Sequence, residues 1–257
     1  MSLVMDKYDA LEEQQNLRYF SLAFQLSQGF GALAVILVAV WMGSYESGGG
    51  FAWSLDPTEE SKQFHYHPLF MVIGLIFLMG EAILVYRVFR HERKFITKLA
   101  HTALHMFTFI FGVTGLQAVF NSHNATNSPN MYSLHSWAGL LVMLMFTFQL
   151  VIGFVTYLFP GLSMPVRQWY MPFHRVFGLM MFVLACSVAL MGISERGAFH
   201  INRNRWSEFS PEGIIMNTLG LCIIFYAGLV VYLAGNERFR RRELPEEESL
   251  QQLTTND

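Results

Sequence analysis

Residues 134–158 read LHSWAGLLVMLMFTFQLVIGFVTYL, a run without one Asp, Glu, Lys or Arg. A charge-free apolar run of about 20 residues is what a helix needs to cross a hydrocarbon core of about 30 Å. Five similar segments flank it, at 20–43, 67–86, 101–120, 172–193 and 213–234. Of the chain's 17 basic and 19 acidic residues, only Glu81 and Arg175 fall inside these six segments. The pattern predicts an all-α membrane protein: six transmembrane helices over 20–235, an N-terminal segment 1–19 and a tail 236–257. Composition agrees, with 53% hydrophobic and 14% charged residues in 257, about half the usual charged share. A soluble fold and a nucleic-acid binder are thereby excluded. Cys186 and Cys222 both lie inside apolar spans and read as small buried hydrophobes, so a disulfide scaffold is excluded too.

The net charge of −2 says little, because the signs are sorted by loop. Residues 1–19 are polar and mildly acidic, so no cleavable signal is expected and the first span should direct its own insertion. With a cytosolic N-terminus, the cytosolic segments hold Lys7, Arg18, Arg87, Arg90, Arg93, Lys94, Lys98, Arg167, Arg175, Arg238 and Arg240 to Arg242, 13 of the 17 basic residues. Lys62, Arg196, Arg203 and Arg205 remain on the other side. The positive-inside rule therefore places both termini in the cytosol, as loose ends. Gly48-Gly49-Gly50 and Asp56-Pro57 mark turns in the first outer loop. Asn124-Ala-Thr126 is a glycosylation sequon in an outer loop too short to favour its use.

The histidines carry the functional information. Of nine, His65, His91 and His200 lie in loops, whereas His67, His101, His105, His123, His135 and His174 sit in or beside the four central spans. Imidazole inside a membrane is costly and marks a functional candidate. His67, His101, His135 and His174 each lie near the N-terminal end of their own span, separated by 34, 34 and 39 residues. Consecutive spans run in opposite directions. His67 and His135 therefore lie toward the outer face, and His101 and His174 toward the cytosolic face. Two pairs at two depths satisfy a bis-histidine haem requirement twice, within a core formed by helices two to five.

No Cys-x-x-Cys-His run is present, so the haems would be non-covalent and of b type. Filled axial positions favour electron transfer over oxygen activation. Two such groups, one near each face, imply electron transfer across the membrane. His105 follows His101 by one helical turn and could ligate on spacing alone. His101 is assigned because it is nearer the basic loop and better matched in depth to His174.

At the level of motifs the chain resembles the cytochrome b561 family of ascorbate-dependent transmembrane oxidoreductases. The resemblance rests on His67-Pro68, Leu84-Val-Tyr-Arg87, Lys98-Leu-Ala-His101, Ala118-Val-Phe120 with His123-Asn124, Met131-Tyr-Ser-Leu-His-Ser-Trp137, Met171-Pro-Phe-His174, and Pro211-Glu-Gly213 with Asn217-Thr-Leu-Gly220. It spans about 67–235. It implies six helices, a homodimer, two b haems on His67 with His135 and His101 with His174, and cytosolic ascorbate as donor. The outer acceptor it implies is monodehydroascorbate, or a ferric chelate in reductase variants. The family's ascorbate site maps to Arg87, Lys94, Lys98 and Arg167, and its outer site to His123, Asn124 and Tyr132, with Glu212 nearby.

The cations suit an anionic donor. The outer loop 121–133 contains no Lys or Arg, which suits proton handling or a metal ion through imidazole. Glu81 is expected at the interface or paired with a nearby Arg, and the span glycines to permit close helix or macrocycle contact. A histidine-based metal transporter is the competing class, but its ligands should gather near the midplane with carboxylates. The membrane is not named by the sequence: secretory vesicle, lysosome or endosome, and plasma membrane all fit.

Overall fold

A computed structural model describes residues 2–54, 62–202 and 208–241, without side-chain detail for 2–17, Ser47 and 200–202. Six helices in it are long and apolar enough to cross a membrane, and each contains one of the six apolar runs. They are α1 (Ser2–Val40, extended by a π turn Trp41–Tyr45), α2 (Lys62–Val88), α3 (Lys94–Ala125), α4 (Leu134–Tyr157), α5 (Met164–Asn202) and α6 (Pro211–Gly235). Among the described residues there is no strand. Arg203, Arg205, Arg242 and the rest of the tail lie outside the described residues.

Local chemistry sets the ends. Ser133 caps α4 in a capping box with Ser136, and Ser210 caps α6, where Pro211 occupies the first turn. The N-terminal segment, expected as a loose end, is helical from Ser2. Its Leu, Glu, Gln and Ala residues favour a helix, and Gly29 is the first glycine in the chain.

The helices assort unevenly. α1 packs chiefly on α6, α2 on α3, and α4 on α5, while α3 and α4 touch little. The buried apolar core is centred among α1, α2, α5 and α6, around Val38, Met42, Ile76, Met79, Phe182, Leu219, Ile223 and Tyr226, and reaches Val142, Met143 and Phe146 of α4. The α2–α3 and α4–α5 hairpins face one another, and the candidate site is built between them. Cys186 and Cys222 are free and buried.

Among the described residues Glu81 is not paired with an arginine. Its carboxylate accepts from Gln28 Nε2 (2.7 Å) on α1 and from Tyr226 OH (3.0 Å) on α6. It joins the two helices that lie outside the histidine region. A neutral amide and a phenol satisfy a carboxyl group there without bringing a second charge into the apolar core.

Candidate functional site

Within α2 to α5 the structure brings the four span histidines together as two pairs. The rings of His67 (α2) and His135 (α4) have centroids 6.2 Å apart at an interplanar angle of 86°. Those of His101 (α3) and His174 (α5) are also 6.2 Å apart, at 66°. Metal–imidazole bonds of about 2 Å, with each ring centre roughly 1.1 Å behind its nitrogen, put the centroids of two rings on one atom about 6 Å apart. Each separation fits a single iron between two imidazoles.

The remaining ring nitrogens show how the rings are held. His67 Nδ1 pairs with the Gly115 carbonyl (3.1 Å), His135 Nδ1 with that of Val188 (2.8 Å) and His101 Nδ1 with that of Ala82 (2.8 Å). A carbonyl at Nδ1 fixes the tautomer, leaves Nε2 for coordination and strengthens it as a donor. Each of these carbonyls lies 14 or 15 residues along its helix from that helix's own ligand candidate, about 21 Å of helical rise. The two pairs are therefore separated by most of the hydrocarbon thickness. His174 breaks the pattern. Its Nδ1 is buried without a partner, and the position 14 residues past His135 is Gln149, whose Nε2 donates to the His174 backbone carbonyl (2.8 Å).

Glycines leave room for the rings. A Cβ at Gly192 would lie 2.6 Å from His135 Cε1, and one at Gly153 would lie 3.1 Å from His174 Cε1. His105 lies 4.5 Å from the His101 ring and against Phe146, with Nδ1 buried and unpartnered. It touches the second pair without sharing its ring-to-ring spacing. Among the described residues, no group of three or more His, Cys, Asp or Glu is placed to hold a metal ion. The span histidines that do come together, His67 with His135 and His101 with His174, do so in twos.

The His101–His174 end is cationic. Lys94 opens α3, and Lys98 lies close enough to both Lys94 and Arg167 for their charges to interact. The first turn of α3 contains no acid, so these lysines crowd the positive end of a long helix dipole with nothing acidic in that turn to offset it. Lys98 Nζ donates to the Tyr157 carbonyl (2.8 Å), Tyr157 OH to the Arg167 carbonyl (3.2 Å) and Arg167 Nε to that of Leu162 (2.5 Å). Gly161, at φ +80°, lets the guanidinium lie against the chain: a Cβ there would be 2.6 Å from Arg167 Nη2. Tyr157 and Tyr170 stack (6.0 Å, 17°), and both rings contact His174. These tyrosines were not legible in the sequence, where they look like ordinary interfacial aromatics.

Arg87 is placed differently from the sequence expectation. It is buried, and its guanidinium donates to the carbonyls of Ala234 and, at 3.0 Å, Asn236. It neutralises the C-terminal end of α6 and is not open to an anion. The reason is local: α6 ends there with no basic residue in its own last turn, and a cation from α2 takes the orphaned carbonyls.

A cavity at the His67–His135 end is lined by both rings and by His123, Tyr132, Phe64, Glu195 and Arg196. Asn124 is exposed and receives a hydrogen bond from Asn130 Nδ2 (2.8 Å). Glu212 accepts from Trp41 Nε1 (3.0 Å) and so anchors α6 to α1. Tyr132 is hydrogen-bonded to Glu195. Desolvation and that carboxylate push its phenol up to about 12, so it stays protonated and donates at physiological pH. Neither Glu195 nor Arg196 was singled out from sequence, since both sit past the apolar part of α5. The loop 121–133 lacks cations as expected, yet Arg196 brings one to the same cavity. His65 is buried as well, with Nδ1 2.6 Å from the Gly50 carbonyl, which closes the loop between α1 and α2.

A family model described as eukaryotic cytochrome b561 matches residues 66–200. The chain is 42% identical to a transmembrane ascorbate-dependent reductase CYB561 homolog of Caenorhabditis elegans, over 99% of this chain and 98% of that protein. It is 42% identical to the transmembrane ascorbate-dependent reductase CYB561 of Mus musculus, over 87% of this chain and 86% of the other. It is 39% identical to the plasma membrane ascorbate-dependent reductase CYBRD1 of Xenopus tropicalis, over 87% and 76%.

Proposed function

The chain belongs to the eukaryotic cytochrome b561 family and is a transmembrane ascorbate-dependent oxidoreductase; we propose that it carries electrons from cytosolic ascorbate through two b-type haems to monodehydroascorbate on the luminal or extracellular side. In this reading residues 20–235 form the cytochrome domain and both ends, 1–19 and 236–257, are cytosolic, following the positive-inside bias. His67 with His135 hold the outer group and His101 with His174 the inner one. The observation that carries the proposal is the pair of 6.2 Å ring separations at two depths. A haem with both axial positions filled supplies one-electron oxidation and reduction with no open site for oxygen.

The chain's own residues give the path its direction. Lys98 and Arg167, with Lys94 at the α3 terminus, attract an anionic donor beside His174 and stabilise its charge as it docks. Arg87 is left out of this set because its guanidinium is engaged at the end of α6. On the outer side His123 can give a proton to the reduced acceptor, Tyr132 holds the Glu195 carboxylate beside it, and Asn124 lies at the rim. Ferric-chelate reduction is the second reading. It is favoured by Glu195 and His123 on the cavity wall, which supply oxygen and imidazole donors for a ferric centre. A homodimer in a secretory-vesicle, lysosomal or endosomal, or plasma membrane completes the proposal.

The test uses sealed vesicles with the cytosolic face outward, ascorbate outside and acceptor inside. Neutralising Lys98 and Arg167 together should slow haem reduction by ascorbate while dithionite still reduces all haem. The wild-type rate should fall with salt, because exposed charges are screened over about 8 Å at physiological ionic strength. A rate that is salt-insensitive and unchanged in the double variant contradicts the donor site.

A further inference from the structure

The Glu46–Arg196 ion pair joins a fully buried carboxylate to a partly exposed guanidinium, and the electron path does not use it. Glu46 begins a short 3-10 turn after α1 and is fully buried; Arg196 lies 150 residues later on α5. The contact is bidentate: Arg196 Nε donates to one carboxylate oxygen (3.0 Å) and Nη2 to the other. The same guanidinium lies 5.1 Å over the Phe64 ring, and Phe64 is 6.2 Å from the His67 ring. Arg196 also lines the cavity with His67, His135 and Tyr132.

A buried ion pair is a poor device for stability, because desolvating two charges offsets most of their attraction. Its position suggests another use. Among the described residues lining the cavity, Glu195 and Arg196 are the charged ones apart from histidine. Glu195 is bonded to Tyr132 from the wall, and Arg196 is neutralised from behind by Glu46. With Glu46 in place the wall keeps the charge of Glu195; without it an uncompensated guanidinium would stand beside the His67–His135 pair, where its field reaches an acceptor docking at the rim near His123 and Tyr132.

We propose that Glu46 is a specificity-determining residue of the outer site: by holding Arg196 it cancels the cavity's positive charge, so that polyanionic electron acceptors are disfavoured relative to singly charged or cationic ones. Glu46 touches neither acceptor nor haem in this proposal and acts through Arg196. The inference rests on the outer-acceptor reading above.

The test keeps the full haem-loaded chain in vesicles with ascorbate outside. Two probes are placed inside: ferricyanide, a polyanion, and hexaammineruthenium(III), a cation. Each accepts one electron per reduced haem and carries no proton, so the comparison isolates charge. The readout is the ratio of the two haem-oxidation rates, together with the midpoint potential of the outer haem. Glu46→Gln should shift the ratio toward ferricyanide by about threefold or more, in the range of steering effects from one charge, and raise the outer potential. Arg196→Gln should shift both the opposite way. Glu46→Asp should stay near wild type, and Glu46→Gln/Arg196→Gln should return toward it. A packing defect would slow both probes alike and leave the ratio fixed; that outcome, or shifts of the same sign in both single variants, overturns the proposal. If the wild type reduces neither probe, the outer-acceptor reading itself fails, which separates the two failures.

Discussion

The two ends of the four-helix region are alike at their centres and opposite at their rims. Both present two imidazoles 6.2 Å apart from facing hairpins. Around His101 and His174 the polar side chains are cations at a helix N-terminus; around His67 and His135 they are an acid, a protonated phenol and an arginine already neutralised. The lesson is a division of labour. In the proposed function the repeated ring spacing would set what is bound, and the surroundings which reactant meets which end. The centres also differ in how the rings are held: of the four, His174 alone lacks a carbonyl at Nδ1.

The largest effects are expected at the rings. His67→Ala or His135→Ala should abolish the outer haem and spare the inner one, and His101→Ala or His174→Ala should do the reverse, as read by haem content and by loss of one of two redox transitions. His105→Ala should leave both sites filled; an emptied inner site with His101→Ala still loaded would reassign the ligand. Next in size is neutralisation of Lys98 with Arg167, which should slow reduction by ascorbate about tenfold or more at low salt and leave outer oxidation unchanged in stopped-flow spectra.

Glycine substitutions sharpen the same contrast. Gly192→Ala places a methyl 2.6 Å from His135, whereas Gly153→Ala meets His174 at 3.1 Å. Gly192→Ala should therefore lower outer haem occupancy and thermal stability by about 1–3 kcal/mol, the usual cost of overpacking, and Gly153→Ala should cost less. Equal effects would mean that the two rings are equally free to move. Smaller still, His123→Ala should slow oxidation by an internal acceptor without altering reduction from outside. An effect on the ascorbate step alone would mean inverted topology or a misplaced site.

Much of this arrangement was legible in the sequence because a membrane simplifies it. Charge-free runs reveal helices, and alternating helix direction turns the spacing of His67, His101, His135 and His174 into depths. What was not legible depends on contacts between distant segments. The Nδ1 carbonyls of Ala82, Gly115 and Val188 carry no sequence signal. Arg87 reads as part of a basic cluster until the end of α6 is seen to occupy it, and Glu81 reads as interfacial or as a partner for arginine until Gln28 and Tyr226 reach it. Glu46 and Arg196 look like unrelated loop charges. Polar pairing of this kind is decided by which helices pack, and apolar periodicity does not encode that.

If one chain holds two haems, one at each depth, the haem-to-protein ratio of folded, fully loaded wild type reports it without further assumption. Haem can be assayed as its pyridine complex and protein by amino-acid analysis. The ratio should be near two, falling to near one in His135→Ala and in His174→Ala and to near zero when both are changed. A wild-type ratio near one would contradict it.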